Sequence, residues 1–367
     1  MIPITQNVEE PNQVNYIIGL LKAENDTAVS SHLEQLHAAE IAGLLESLPP
    51  ELRQHLWTLT PKETEGGILT YLGEEVRGSI IGKMEDADLV AATETMNVED
   101  LANVIDELSD DVSEAVLESL NDDRRQRLEA ALSFNENTAG RLMSSDVISV
   151  RKDVTLSVVL RYLRRLKPLP THTDALMVTD ENGSYLGKLM LADAVSEHPE
   201  TVVSTIMREA ADWVQANANE HDVAVLFQRR DLISVAVVDE HTKLLGRITI
   251  DNIVDIIVAE ADKALLASAG LVEDEDLFAP VLPSTKRRAV WLGLNLITVF
   301  LAVWVIGLFE AVLEEIVVLA ILMPIVASMG GIAGSQTLTL TIRGLALGQV
   351  SNANLRWLGN KELQVGY

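Results

Sequence analysis

Residues 323–336 read Met-Pro-Ile-Val-Ala-Ser-Met-Gly-Gly-Ile-Ala-Gly-Ser-Gln, so a proline, three glycines and a Ser-Gln pair stand inside an apolar run of membrane length. A plain anchor has no use for them. Backbone groups loosened by Pro324, or by Gly330 and Gly331, find no water in hydrocarbon and need partners from another helix or a water-filled cavity. Gly330, Gly331 and Gly334 permit close backbone approach, while Ser335 and Gln336 offer oxygen atoms to a hydrated ion or to a neighbouring helix. The segment is predicted to be a packed or pathway-lining helix, and the residues alone leave both uses open.

Other chemistry is sparse. His32, His37, His55, His172, His198, His221 and His241 show no HxxxH or HExxH spacing, which argues against a zinc hydrolase. There is no glycine-rich phosphate loop and no nucleophile elbow, so no enzymatic activity is expected. The absence of cysteine excludes disulfides and thiolate metal sites. Carboxylates are abundant instead. Residues 1–285 hold 51 of the 55 acidic and 22 of the 28 basic residues, a net charge of −29, against +2 for the remainder. Such a field repels nucleic acid and attracts hydrated cations, although acidity also serves solubility.

The elements that would position these groups fall into distinct stretches. Residues 289–309 carry no charge and suffice for one helical span, and a second apolar run starts at Ile316 and lasts until Arg343. Glu310, Glu314 and Glu315 form the link, which predicts a tight hairpin. Lys286, Arg287 and Arg288 before the first span, with Arg343, Arg356 and Lys361 closing the second, place both ends in the cytoplasm by the positive-inside rule. Arg343 suits an interfacial anchor better than a cation ligand, since it shares the ion's sign. Residues 1–10 have neither a basic n-region nor an apolar core, so no secretory leader is expected there.

Residues up to about 135 read as all-helical. Asn97-Val-Glu-Asp, Ser109-Asp-Asp-Val and Asn121-Asp-Asp-Arg recur every 12 residues, each a capping residue followed by acids. Leu101, Val104, Ile105 and Leu108, then Val112, Val116, Leu117 and Leu120, supply apolar helical spacing between them, and Pro49-Pro50-Glu51 marks an earlier start. Short capped helices in series predict a small solenoid. A longer repeat follows. Leu142-Met143 returns as Ile206-Met207, and the run from Ala175 to Gly187 returns from Ser234 to Gly246, each a β-rich stretch, a polar turn, a Leu-Gly strand and a helix near Asp193 or Asp251. This resembles a tandem CBS pair.

The whole order resembles the MgtE family of magnesium channels and transporters, and the run from Pro324 through Gly330, Gly331, Gly334 and Gln336 to Arg343 makes the resemblance specific. It implies a multidomain fold: an all-α acidic N-terminal solenoid over residues 1–137, an α/β CBS pair over 138–200 and 201–262, a connecting plug helix over 263–285, a partial membrane domain with two spans over 286–350 and a polar tail over 351–367. It further implies a homodimer in a bacterial inner membrane, multi-pass, with both termini and the bulk of the chain cytoplasmic. The partners are then Mg2+, the lipid bilayer and a second copy. Cytoplasmic carboxylates would sense Mg2+ and close a pore on the dimer axis, lined by Gly330, Gly331, Gly334, Ser335 and Gln336.

Carried over residue by residue, the resemblance assigns Mg2+ to Glu99, to Asp251 with Asp255 one turn on, and to Glu273 and Asp276 of the plug segment. Asn103, Val258 and Ala259 stand where some relatives have acids, and Ile332 where some have asparagine. Asp193, Thr249 and Asn252 resemble the place where some CBS modules hold adenosine ribose, and they also suit helix caps. Relatives have five membrane helices against two here, which reads as an incomplete copy. The alternative is a membrane-tethered CBS regulator that binds Mg2+ or an adenine nucleotide and modulates an intact family member. A metabolic CBS protein anchored to the membrane is a third reading.

Overall fold

A cap followed by acids predicts helix starts after Asn97, Ser109 and Asn121, and in the computed structural model helices begin there, at Val98, Asp110 and Asp122. The structure describes residues 10–209, 211–268, 276–279, 281–311, 317–346 and 355–365. It divides into two units, Met1–Val258 and Ala259–Tyr367.

The first unit opens with α1 (Glu10–Lys22), α2 (Asp26–Leu33), α3 (Ala38–Glu46) and α4 (Pro50–Thr58). A 3-10 turn (Lys62–Thr64) leads into α5 (Glu65–Tyr71), and α6 (Glu74–Ile81), α7 (Asp86–Glu94), α8 (Val98–Ile105), α9 (Asp110–Ser119) and α10 (Asp122–Leu132) follow. Helical segments start at residues 26, 38, 50, 62, 74, 86, 98, 110 and 122, so the 12-residue period runs through nine starts. Only three are legible in the sequence because the other caps are chemically mixed, His37, Pro49, Pro61, Gly73 and Glu85 among them. Even the three clear caps differ. Asn121 Oδ1 accepts from the Arg124 amide at 2.9 Å, whereas Asn97 and Ser109 make no side-chain cap bond.

Helices two apart pack on each other, α3 on α5, α5 on α7, α7 on α9 and α8 on α10, and one apolar core runs from Ile17 to Ala131. Short helices leave many C-terminal carbonyls without an intrahelical donor. The fourth residue of the 12-residue frame repeatedly supplies one. Arg53 Nε donates to Leu45 O at 2.9 Å and Nη2 to Leu48 O at 3.1 Å; Arg77 Nη1 reaches Leu72 O at 3.1 Å, Ser113 Oγ reaches Ile105 O at 3.3 Å, and Arg125 Nε reaches Leu117 O at 2.8 Å. Arg53 is 2% exposed, so Arg53→Met would keep much of the volume and strand these carbonyls. We expect a loss of about 2–3 kcal/mol, read as a lower midpoint in thermal unfolding; an unchanged midpoint would mean that the carbonyls find other donors.

Two modules of matching order follow. The first holds α11 (Ala139–Leu142), β1 (Ser149–Arg151), α12 (Leu156–Arg165), β2 (Ala175–Thr179), β3 (Tyr185–Met190) and α13 (Leu191–Ser196). The second holds α14 (Val203–Ile206), β4 (Trp213–Gln215), α15 (Glu220–Arg230), β5 (Ser234–Val238), β6 (Leu244–Thr249) and α16 (Ile250–Ser268). In each three-stranded sheet the first strand pairs parallel with the second and the third pairs antiparallel with it. The central strands, β2 and β5, are buried at every position, which is why they read as continuous apolar runs.

The modules also interlock. Ser144 bridges to Arg247 of β6, and Lys188 of β3 bridges to Arg208. A Cβ on Gly246 would stand 2.6 Å from Ser144 O, and one on Gly187 would stand 2.3 Å from Arg208 O, so only glycine allows these backbones to meet. Met177, Tyr185, Ala236 and Val238 form the core that both modules share. One difference breaks the symmetry: residues 166–174 join α12 to β2, whereas residues 231–233 suffice between α15 and β5. Helix α16 continues without a break past residue 262, where the sequence suggested the connecting segment begins.

In the second unit, α17 (Val281–Gly307), α18 (Val317–Ala346) and α19 (Leu355–Val365) are described. Ser284–Gly307 and Ile321–Gly344 are long and apolar enough to cross a membrane. Helix α18 runs unbroken through Pro324 and the three glycines. Proline in a membrane helix forfeits one backbone bond, a loss that such helices accommodate without unwinding. Glu314 and Glu315 of the expected hairpin link lie outside the described residues.

Candidate functional site

The N-terminal turn of α8 faces the start of α16 across a cleft of about 610 Å³. Asn97, Glu99 and Asp100 line it from α8, Arg127 from α10, and Thr249, Asp251 and Asn252 from the end of β6 and the start of α16. The longer loop of the first module supplies another wall through Pro168, Leu169, Pro170 and Thr171.

Four lining carboxylates, Glu99, Asp100, Asp146 and Asp251, dominate its charge. Burial pushes the Asp100 carboxyl up to about 6, and the neighbouring charges of Glu99, Asp255 and Asp251 add to that rise, while a contact from Asn97 Nδ2 at 3.5 Å opposes it. Asp255 is also raised, by desolvation first and by Asp251 second. The acids of α8 and α16 therefore act on one another, and their repulsion is what a cation would relieve. Both lining arginines are engaged. Arg127 pairs with Asp123 at 3.0 Å and with Asp146. Arg247 donates to His172 O at 3.1 Å and Thr171 O at 2.7 Å, and burial lowers its pKa. Its buried Nε has no partner. His172 Nε2 lies 3.7 Å from Asp251 Oδ2.

Of the residues singled out in the sequence for Mg2+, the structure gathers Glu99, Asp251 and Asp255. Asp276 closes a local turn, its Oδ1 accepting from the Phe278 amide at 2.9 Å, and Glu273 lies outside the described residues. Among the described residues, no three of His, Asp and Glu form a group able to hold a metal ion directly. The nucleotide candidates separate: Thr249 and Asn252 line the cleft together, with Thr249 Oγ1 3.3 Å from Asn252 Oδ1, whereas Asp193 stands apart, 3.7 Å from Arg208 Nη2. Asp100 and Asp146 escape a reading of the sequence, because each looks like an ordinary solvated acid.

Gly330, Gly331, Gly334, Ser335 and Gln336 all lie exposed on α18, and a Cβ on any of the three glycines would meet nothing within 4 Å. The neighbouring threonines bond back to their own helix, Thr339 Oγ1 to Ser335 O at 3.0 Å and Thr341 Oγ1 to Thr337 O at 2.8 Å. Thr337 Oγ1 instead donates to Glu362 of α19 at 3.0 Å, which sets a carboxylate against the span. Glu362 is invisible in the sequence, since a lone acid in a short polar tail carries no signal.

Comparison with known proteins accounts for this layout. The MgtE intracellular N domain matches residues 36–137, the CBS domain matches 139–199 and 203–259, and the divalent cation transporter domain of MgtE matches 323–367. A magnesium transporter MgtE from Thermus thermophilus is 31% identical over 350 residues, covering 94% of this chain and 78% of its own. The chain belongs to the MgtE family. A second MgtE, from Bacillus subtilis, is 24% identical over 94% of this chain and 76% of its own. Among solved structures, the cytosolic domain of the Mg2+ channel MgtE in complex with ATP matches with a TM-score of 0.59 at 28% identity, over 66% of this chain and 99% of that one. In MgtE terms the cleft lies between the N domain and the CBS pair, and the segment from Pro324 to Gln336 falls in the transporter domain.

Proposed function

We propose that this chain carries Mg2+ across a membrane down its electrochemical gradient and that its N-terminal and CBS domains sense the ion. The observation that carries the sensing role is the apposition of Glu99 and Asp100 on α8 with Asp251 and Asp255 on α16. Without a cation the two acidic surfaces repel; with one they close. Two states of unequal ion affinity are what linkage requires of a ligand-driven switch. Magnesium keeps several waters and often takes only one or two carboxylates, so Glu99, Asp251 and Asp255 need not form a dry three-ligand cage. Glu273 and Asp276 in the connecting segment are assigned the same ion. Helix α16 begins beside Asp251 and continues to Ser268, so a shift at its acidic end is carried along a rigid rod.

In the membrane, the glycine face of α18 with Ser335 and Gln336 is assigned to the ion path, and a homodimer would set two copies of it together. The basic residues before the first span favour a cytoplasmic position for the acidic part, in a bacterial inner membrane. Magnesium uptake into proteoliposomes tests both roles. The triple variant Glu99→Gln, Asp251→Asn, Asp255→Asn should keep uptake at low cytoplasmic-side magnesium and need roughly tenfold more ion for shut-off, two lost ion contacts at about 0.7 kcal/mol each giving that factor. Unchanged shut-off would overturn the sensing residues.

Absence of uptake by the unmodified chain would overturn transport by this chain alone and leave the second reading, a membrane-tethered regulator of an intact family member. The pair Thr249 and Asn252 in the cleft favours that reading's small-molecule ligand.

A further inference from the structure

The cleft between α8, α12 and α16 has an apolar wall as well as an acidic one. Tyr162, Leu166 and Leu169, with Val147 and Ile148, provide a surface on which a flat ring can lie. Thr249 and Asn252 stand beside it, both able to donate and accept hydrogen bonds without charge. The unpartnered Nε–H of Arg247, a residue 5% exposed, adds one buried donor for a ring nitrogen. The volume of about 610 Å³ falls within the range usual for small-molecule pockets.

The charges lining the cleft are set against phosphate. Four carboxylates face the space, Arg127 is held by Asp123 and Asp146, and Arg247 is held by two backbone carbonyls. Arg161, Arg164 and Arg165 of α12 do not line it. We propose that this cleft binds an uncharged purine nucleoside and discriminates against its phosphorylated forms. The base lies on Tyr162 and the loop after α12, the ribose hydroxyls meet Thr249 and Asn252, and a 5′-phosphate would be driven toward Glu99, Asp146 and Asp251. The second module has only residues 231–233 where this loop stands, and at the equivalent place Asp193 faces Arg208. That half of the pair therefore lacks the apolar wall, which gives one nucleoside per chain.

The inference narrows the ligand of the regulatory reading and is independent of magnesium transport, because binding is read without flux. Calorimetry on the full chain in detergent, with EDTA, would compare adenosine, AMP and ATP. Adenosine should bind, AMP roughly tenfold more weakly and ATP more weakly still, as added like charge in a partly buried site requires. Tyr162→Ala, at a position 43% exposed and so tolerant of change, should weaken adenosine at least tenfold. The pair Glu99→Gln, Asp146→Asn should narrow the gap between adenosine and ATP. ATP binding as tightly as adenosine, with EDTA or with magnesium, would overturn the proposal. So would failure of all three to bind, or adenosine binding that ignores Tyr162→Ala.

Discussion

Replacing Asp100 by Asn should stabilise the protein by about 2–3 kcal/mol near about pH 7.5 and change little near about pH 4. The native carboxyl titrates at about 6 against a usual value of 3.8, because burial and the charges of Glu99, Asp255 and Asp251 penalise its ionised form. A carboxyl whose native pKa is raised binds its proton more tightly folded than unfolded. Its favourable contribution is complete below about 3.8 and is lost as pH rises through about 6, at about 1.4 kcal/mol for each pH unit between those two values. The gap in unfolding midpoint between Asp100→Asn and the unmodified chain should thus widen from acid to neutral pH. Magnesium should shrink it, since a cation among the same acids relieves the same repulsion. A gap that stays constant with pH would show that Asp100 is not desolvated.

Arg141→Met is expected to cost about 3 kcal/mol and to loosen the N-terminal helices from the CBS pair. The guanidinium on α11 is 4% exposed and its Nη2 donates both to Ala102 O, a C-terminal carbonyl of α8, and to the Asp106 carboxylate. Removing it strands both acceptors, of which Asp106 is partly solvated and so recovers some of the loss in water. Scanning calorimetry should show a lower midpoint and a broadened or split transition. Adding Asp106→Leu should restore part of the loss, because the stranded charge is then gone. A single sharp transition at the original midpoint would mean that the domains are joined elsewhere.

What can be read in advance follows from how local the determining physics is. The duplicated strands at Ala175 and Ser234 are legible because central strands demand continuous apolar residues. The 12-residue helical frame is legible at Asn97, Ser109 and Asn121, where the caps are of the usual type, and hidden at Pro61, Gly73 and Glu85, where packing rather than capping sets the start. Glu99 and Asp251 come from family resemblance, since nothing in their spacing reveals that α8 and α16 meet. Asp100 acquires its unusual proton affinity only from that meeting. The wall formed by residues 166–171 is hidden for a similar reason: a Pro-rich loop of nine residues looks like a connector until its counterpart of three is set beside it.

The regular frame of the N-terminal helices has a mechanical consequence. Nine helical starts at equal intervals, tied mainly to neighbours two apart, make a coil whose deformation is spread over many similar joints. Arg53, Arg77 and Arg125 act as clips between successive turns, so stiffness is set by a few charged side chains and not by one large interface. Load applied at Glu99, near one end, would be absorbed as a small stretch of the whole coil. The sensor is then sprung, and it can yield to the repulsion of its own carboxylates and recoil when an ion removes it.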